Sequence, residues 1–449
     1  MKKYFKRHID SYLSDWKTSA NRKPLLVRGA RQVGKSSAIC HLGESFKYFI
    51  EVNLEKQQNI KLLFGDNLDV KTLCSQISVV YHTPIIAGET LLFLDEIQES
   101  ERAIASLRYF YEDFPELHVV AAGSLLEFAL KELPSFGVGR IRSLYMYPFS
   151  FDEFLTAQGL EMQVEYKKRQ ADPKRPLPEP LHREMVAQLR SFYLVGGMPE
   201  AVRVWVESAD YMQCATVHND ILDTYQDDFG KYKARISPII LSNTMKSVVL
   251  QAGNKFVYSE VGNDLHTAAI KEALDLLTLA GLIIPVTHSA ANGIPLGAEI
   301  NSKYRKFLSL DAGLMQSLLG TQPTDILFAD ETAFVNKGGL SEMVAGLELI
   351  KYENYLKKVE LYYWQRMDRN AQAEVDYVIS RNGKILPVEV KANKSGSMQS
   401  MYKFIELKDC EYGVRVSLEP FTEYGKVKVV PLYALSNLTH IAADQVKKN

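Results

Sequence analysis

Residues 29–36 read Gly-Ala-Arg-Gln-Val-Gly-Lys-Ser, the residue types and spacing of a complete phosphate-binding loop. Leu25-Leu26-Val27 ahead of it reads as a short buried strand, and Ser37-Ala38-Ile39 behind it can open a helix. Gly29 and Gly34 let the backbone turn tightly. The stretch Gly29, Ala30, Arg31, Gln32, Val33, Gly34, Lys35, Ser36 and Ser37 can then aim its N–H groups at phosphate oxygens. The positive end of the helix dipole favours the same anion. Lys35 can reach the β- and γ-phosphates, and the Ser36 hydroxyl can ligate Mg²⁺.

A second motif lies downstream. Thr90-Leu91-Leu92-Phe93-Leu94-Asp95-Glu96 is an apolar run closed by two carboxylates. Such a run reads as a buried parallel strand whose C-terminal end faces ligand. Asp95 is placed to hold the Mg²⁺ shell, and Glu96 to orient and deprotonate an attacking water. A third strand, Leu117–Ala122, ends in Gly123-Ser124. Ser124 can stand between loop and acidic strand, holding the water or sensing the γ-phosphate. It can equally cap the helix that Leu125-Leu126-Glu127 would begin.

A separate constellation lies near the C-terminus. Glu374-Val375-Asp376-Tyr377-Val378-Ile379 alternates acids with apolar residues, Asn382-Gly383 is a strong hairpin signal, and Ile385–Lys391 returns. A period of two puts Glu389 and Lys391 on one face, with Asp376 beside them across the hairpin. Glu342, on a preceding helix, can complete three carboxylates and an amine. That set suits phosphodiester cleavage with a second Mg²⁺ or Mn²⁺ site. A solvated hairpin face with a cross-strand ion pair uses the same residues. Tyr362, Tyr363, Trp364, Arg366, Arg381 and Lys384, with Arg369 and Lys394, interleave aromatic and basic character as a nucleic-acid surface does, or as a plain sheet edge does.

The elements that must position these residues follow from the pattern. Residues 1–24 hold a lead-in helix around Tyr12-Leu13 and Trp16. From 25 to 155 short apolar strands, Tyr48–Asn53 among them, alternate with helices, as in a parallel sheet. Residues 163–183, with Lys167-Lys168-Arg169 and four prolines, read as an exposed linker. A helical stretch from 184 to 230 is broken at Gly196-Gly197-Met198-Pro199-Glu200. Residues 236–310 resemble a winged helix: one helix begins at Ser259-Glu260-Val261, a second spans Thr267–Leu279, and a hairpin starts at Leu282. Four parts result: 1–160 around the loop, 161–235 linker and helices, 236–330 winged-helix-like, and 331–449 a last α/β unit.

The 449 residues are 46% hydrophobic, enough for several cores, and the net charge of −1 supplies no global attraction for nucleic acid. Four cysteines form no Cys-x-x-Cys pair, so neither a zinc knuckle nor a disulfide framework is indicated. The basic N-terminus has no apolar segment behind it, and no run approaches a membrane span. The chain reads as cytoplasmic and not membrane-bound.

With these residues in view the chain resembles AAA-type ATPases that carry a C-terminal DUF4143 domain. The resemblance rests on residues 29–36, Leu94-Asp95-Glu96-Ile97-Gln98, Gly123-Ser124 and Gly139-Arg140. It continues through Tyr147–Phe154, Gly196–Glu200, Glu374-Val375-Asp376 and Pro387–Lys391. That family more often has Pro at position 30 and Thr at 36; Ser36 keeps the hydroxyl. The resemblance implies an AAA-type ATP-binding sheet, a winged-helix-like middle and a C-terminal fold similar to PD-(D/E)xK nucleases, its pattern falling on Asp376, Glu389 and Lys391. It also makes Arg140 a candidate to stabilise γ-phosphate charge from a neighbouring subunit or domain, with Arg142 an equal rival on chemistry. The expectation is an α/β protein that hydrolyses ATP with Mg²⁺, with DNA, a protein or a second copy as partner and metal-dependent nuclease activity at the C-terminus. The alternative is a nucleotide-dependent switch whose last domain only binds.

Overall fold

The computed structural model describes residues 3–65, 68–132, 139–170, 172–230, 235–262, 264–321, 338–366, 373–392 and 397–438. The chain divides into two compact units: residues 1–147 with 279–281 and 354–358, and the remainder.

The first unit is a parallel sheet in the order β2-β3-β4-β1-β5. Its strands are β1 (Leu25–Arg28), β2 (Tyr48–Asn53), β3 (Thr90–Asp95), β4 (His118–Ala122) and β5 (Arg142–Tyr145). Every residue of β3 and β4 is buried, which explains why both read as apolar runs rather than alternations. The helices are α1 (Ile9–Thr18), α2 (Lys35–Gly43), α3 (Val70–Tyr81), α4 (Glu101–Asp113) and α5 (Leu126–Glu132). Two start on side-chain caps: Asp69 accepts from the amides of Lys71 and Thr72, and Ser100 from that of Ala103. Leu73, Ile77, Ile104, Leu107 and Phe110 on these helices cover Leu92 and Leu94 of β3 in one core.

The second unit opens with helices α6 (Phe151–Ala157), α7 (Glu161–Gln170), α8 (Glu179–Val195), α9 (Pro199–Ser208), α10 (Tyr211–Phe229), α11 (Pro238–Leu250) and α12 (Thr267–Leu279). Ser150 and Glu153 form a reciprocal capping box at the start of α6. The Gly196-Gly197 break has a steric cause. A Cβ on Gly197 would stand 2.3 Å from the Phe149 carbonyl oxygen, and the Gly197 carbonyl accepts from the Phe149 amide at 2.7 Å.

Two sequence expectations differ from the structure here. Residues 161–170 form a helix instead of an exposed linker, and Lys167 on it is fully buried. Its ammonium donates to Asp152 and to the Tyr433 carbonyl at 2.9 Å, partners too remote in sequence to be read from composition. Ser259-Glu260-Val261 begins no α-helix; Tyr258–Glu260 is a single 3₁₀ turn.

An eight-stranded mixed sheet follows, built from β6 (Ile283–Ser289), β7 (Ile300–Ser309), β8 (Leu361–Gln365), β9 (Glu374–Arg381), β10 (Lys384–Val390), β11 (Gly413–Ser417), β12 (Thr422–Tyr424) and β13 (Val427–Pro431). Its order is β12-β13-β11-β10-β9-β8-β6-β7. The hairpin read as a wing, β6–β7, is therefore part of the same sheet as the C-terminal strands, β6 pairing parallel with β8. Helices α13 (Ala312–Leu318), α14 (Gly338–Lys351) and α15 (Gln399–Leu407) complete the unit. The β9–β10 turn has positive φ at Asn382 and Gly383, as an Asn-Gly hairpin requires.

Candidate functional site

β1 delivers the phosphate loop. Gly29 has φ +148 and Gly34 φ +95, and a Cβ on Gly29 would stand 2.1 Å from the Met146 carbonyl oxygen. Gly34 is the N-cap of α2 and supplies no side chain to the first turn, so that turn's amides face outward for an anion. Lys35 is buried, its ammonium donating to the Gly29 and Ala30 carbonyls at 3.0 and 2.7 Å. Burial pulls Lys35 down to about 8 against the opposing pull of Glu96 and Asp95. Arg7 reaches the loop from the N-terminal segment, donating to the Val33 carbonyl at 3.0 Å and the Tyr147 carbonyl at 2.7 Å. Ser37 is exposed on α2.

The strand order places β4 between β1 and β3, so the loop, the acidic pair and Ser124 gather at one end of the sheet. Ser36 Oγ donates to Asp95 Oδ1 at 3.1 Å, and Asn53 Nδ2 to Asp95 Oδ2 at 3.2 Å. Burial, then the neighbouring Glu96 charge, raise the Asp95 carboxyl above its ordinary value. A hydroxyl and a carboxylate already in contact are oxygen donors of the kind Mg²⁺ takes, so these residues fit that ion.

Glu96 sits at φ +50, a left-handed conformation unusual for a side-chain-bearing residue. That turn brings Glu96 Oε2 to Gln98 Nε2 at 2.7 Å, and to Ser124 Oγ and its amide at 3.3 and 3.5 Å. Sequence reasoning placed Ser124 near the phosphates; its hydroxyl lies on Glu96. It did not single out Gln98 or Asn53. In the structure Gln98 packs on Gly123, where a Cβ would meet Gln98 Oε1 at 2.1 Å.

Arg140 and Arg142 lie elsewhere. β5 runs parallel to β1 with Arg142 opposite Leu25, so both arginines stand at the end of the sheet away from the phosphate loop. Arg140 pairs with Glu112 of α4, and Arg142 donates to the Tyr12 hydroxyl at 3.1 Å.

In the second unit Glu342, Asp376, Glu389 and Lys391 do cluster, with two additions. Lys306 of β7 lies at the centre, its ammonium 2.8 Å from Glu342, 2.5 Å from Glu374 and 3.9 Å from Asp376. Asp376 Oδ2 accepts from the Val390 amide at 2.8 Å, and Glu389 Oε1 from Lys391 at 2.6 Å. Burial followed by Asp376 pushes Glu342 up to about 8 and Glu389 up to about 7. Lys306 is raised although burial opposes it, because Glu342, Asp376 and Glu374 outweigh the lost hydration. These residues do not fit a second metal as they stand, because an ammonium already lies among the acids. Among the described residues no group of His, Cys, Asp or Glu is arranged to hold a metal ion.

The aromatic and basic residues beside this cluster are largely inward or paired. Tyr363 and Trp364 are buried, Trp364 edge-on to Phe404. Arg381 pairs with Glu353 and Lys384 with Glu411. Arg369 and Lys394 lie outside the described residues.

Residues 21–155 match the AAA domain family, 186–325 a domain of unknown function (DUF8612), and 337–435 a domain of unknown function (DUF4143). The chain thus carries an AAA domain and a C-terminal DUF4143 domain. No curated protein matches it. Among solved structures it is similar to the Walker-type ATPase PABY2304 of Pyrococcus abyssi, 16% identical over 70% of this chain and 96% of that one, TM-score 0.43. It is also similar to the Aeropyrum pernix ORC1 protein in complex with DNA, at 13% identity over 73% and 96%, TM-score 0.30. The Thermotoga maritima RuvB Holliday junction branch migration motor matches at 14% over 61% and 87%, TM-score 0.28. No helix among the described residues is long and apolar enough to cross a membrane.

Proposed function

We propose that the AAA domain hydrolyses ATP with Mg²⁺ and couples its nucleotide state to DNA-directed work. The observation that carries the hydrolytic part is the placement of Glu96. Its carboxylate is held by Gln98 and Ser124 one residue beyond Asp95, while Asp95 itself is held against Ser36. The α2 amides and Lys35 would bind the phosphates, and Ser36 and Asp95 would hold Mg²⁺, which neutralises phosphate charge when bound. Lys35 would leave the Gly29 and Ala30 carbonyls to do so. Glu96 would take the proton of the attacking water, with Gln98 and Ser124 fixing the receiving oxygen. Arg140, at the far end of its own sheet, would reach a γ-phosphate only on a second copy of the chain.

For the C-terminal domain we favour binding over cutting, because the Lys306 ammonium already lies against Glu342 and Asp376, two of the acids that cleavage would need for a metal.

The test is ATP turnover by the full chain, with and without duplex and single-stranded DNA. Lys35→Ala should lose ATP binding, and Glu96→Gln should retain bound ATP while turnover stops. Full turnover by Glu96→Gln removes Glu96 as the base. Turnover that DNA leaves unchanged removes the coupling to DNA and transfers the role to a protein partner.

A further inference from the structure

Lys35 and Arg7 both hold the backbone of the phosphate loop. Lys35 takes the Gly29 and Ala30 carbonyls at the start of the loop, at 3.0 and 2.7 Å. Arg7 takes the Val33 carbonyl at 3.0 Å, just ahead of α2. The two cations are not equivalent. Lys35 would leave its carbonyls to meet the phosphates. Arg7 has both terminal nitrogens engaged on backbone, Nη1 on Val33 and Nη2 on the Tyr147 carbonyl at 2.7 Å.

The N-terminal segment is built to deliver that guanidinium. Phe5 and Arg7 are buried on either side of exposed Lys6, so the run ahead of α1 alternates and Arg7 takes an inward position, 6% exposed. Asp10 locks the segment, accepting from the Tyr4 hydroxyl and from the Arg7 amide, each at 2.7 Å. The Tyr4 ring stacks on His41 of α2 with centroids 4.2 Å apart.

A planar trans peptide carries its C=O and N–H on opposite sides. Fixing the Val33 carbonyl on Arg7 therefore fixes the Gly34 N–H, directed away from Arg7. Gly34 is the N-cap of α2, where a helix leaves amides without helical partners. Tyr147 follows Met146, whose carbonyl oxygen is the one a Cβ on Gly29 would strike. One guanidinium thus ties the end of the loop to the backbone on which its beginning rests. The rigid fork of an arginine suits two carbonyls held in a set relation, as a single ammonium does not.

We propose that Arg7 is a positioning residue for the nucleotide: it orients the Val33–Gly34 peptide so that the Gly34 amide meets a phosphate oxygen, and keeps it there when Lys35 transfers to the phosphates. The proposal rests on the ATP-binding reading of this loop. Such an amide donates to ATP in the ground state and the transition state alike, so its loss acts on KM and not on kcat.

The experiment compares full-length wild type, Arg7→Met and Arg7→Lys by steady-state ATP hydrolysis, and by thermal melts with and without one fixed concentration of ATP and Mg²⁺. Arg7→Met should raise KM about tenfold or more, the worth of one hydrogen bond to a charged group, with kcat held within about twofold. The ATP-induced rise in melting temperature should shrink with it. Arg7→Lys should fall between the two. A merely structural arginine would lower both melts equally and leave the ATP-induced rise unchanged, and that result overturns the proposal. So does an effect on kcat larger than that on KM. Should Arg7→Met fail to fold, Arg7→Lys decides: a KM about threefold or more above wild type supports the forked contact, and a wild-type KM overturns it. The melts need no turnover, so they decide even for a chain that binds ATP without hydrolysing it. A wild type that binds no ATP defeats the reading of the loop itself, whereas a wild type that binds ATP beside an unaffected Arg7→Met defeats only the role given to Arg7.

Discussion

Gly29→Ala tests whether the phosphate loop depends on one close backbone approach. The new Cβ would stand 2.1 Å from the Met146 carbonyl oxygen, about 1 Å or more inside ordinary contact. That carbonyl cannot swing away cheaply, because Met146 is buried and its amide donates to the Arg28 carbonyl at 2.8 Å. Forcing a side chain into a packed site costs about 1–3 kcal/mol. Holding an alanine at φ +148, a region populated by glycine, costs about 1–3 kcal/mol more. If the loop instead relaxes to relieve both, restoring it to meet phosphate draws on binding energy. A total near 4 kcal/mol then corresponds to roughly a thousandfold loss of ATP affinity. The assay is equilibrium binding of a fluorescent ATP analogue beside a thermal melt. Gly88→Ala is the control: it has φ +78 but nothing within 4 Å of the added Cβ, so it carries the conformational cost alone and should leave affinity unchanged. A Gly29→Ala protein that binds within threefold of wild type and melts at the same temperature would refute the steric argument.

Two further outcomes follow from the same geometry. Gln98→Ala should lower kcat by about tenfold or more with KM within twofold, because Glu96 loses its 2.7 Å partner and with it a fixed orientation; steady-state kinetics decide, and a change confined to KM would assign Gln98 to binding. Asp152→Asn should destabilise the protein at pH 7, with the gap closing in acid. Burial works to raise the Asp152 carboxyl, but Lys167 and Lys168 outweigh it and hold the group at about 2. A depressed carboxyl contributes stability above its ordinary value near 4 and loses it as pH falls through about 2, so that window should contain the change, worth about 2.5 kcal/mol. Lys167 is itself lowered by burial despite Asp152, so the gain lies with the carboxylate, which two ammonium groups flank. Denaturation of wild type and variant at pH 7 and pH 2 measures it; an equal gap at both values would remove the ion pair as its source.

The sequence by itself determined whatever depends on local spacing. Loop, strand and helix are contiguous around Gly29–Ser36, and the apolar run Leu91–Leu94 of β3 could only be buried on both faces, so Asp95 and Glu96 had to come at its end. The Asn382-Gly383 turn likewise set the β9–β10 register, and with it Asp376 beside Val390. Tertiary structure decided what depends on partners far along the chain. Lys306 lies in Ser302-Lys303-Tyr304-Arg305-Lys306, which reads as solvated charge; only the continuity of β7, β6, β8 and β9 in one sheet turns it into the centre of an acid cluster. Lys167 and Asp152 follow the same rule on α7 and α6. Arg140 was separated from the loop by strand direction, since β5 parallel to β1 puts its start at the opposite end. Short-range geometry is written in residue types, because a turn or a strand must satisfy its own backbone. The pairing of buried charges is not, because an isolated lysine has the same sequence signature whether water or three carboxylates surround it.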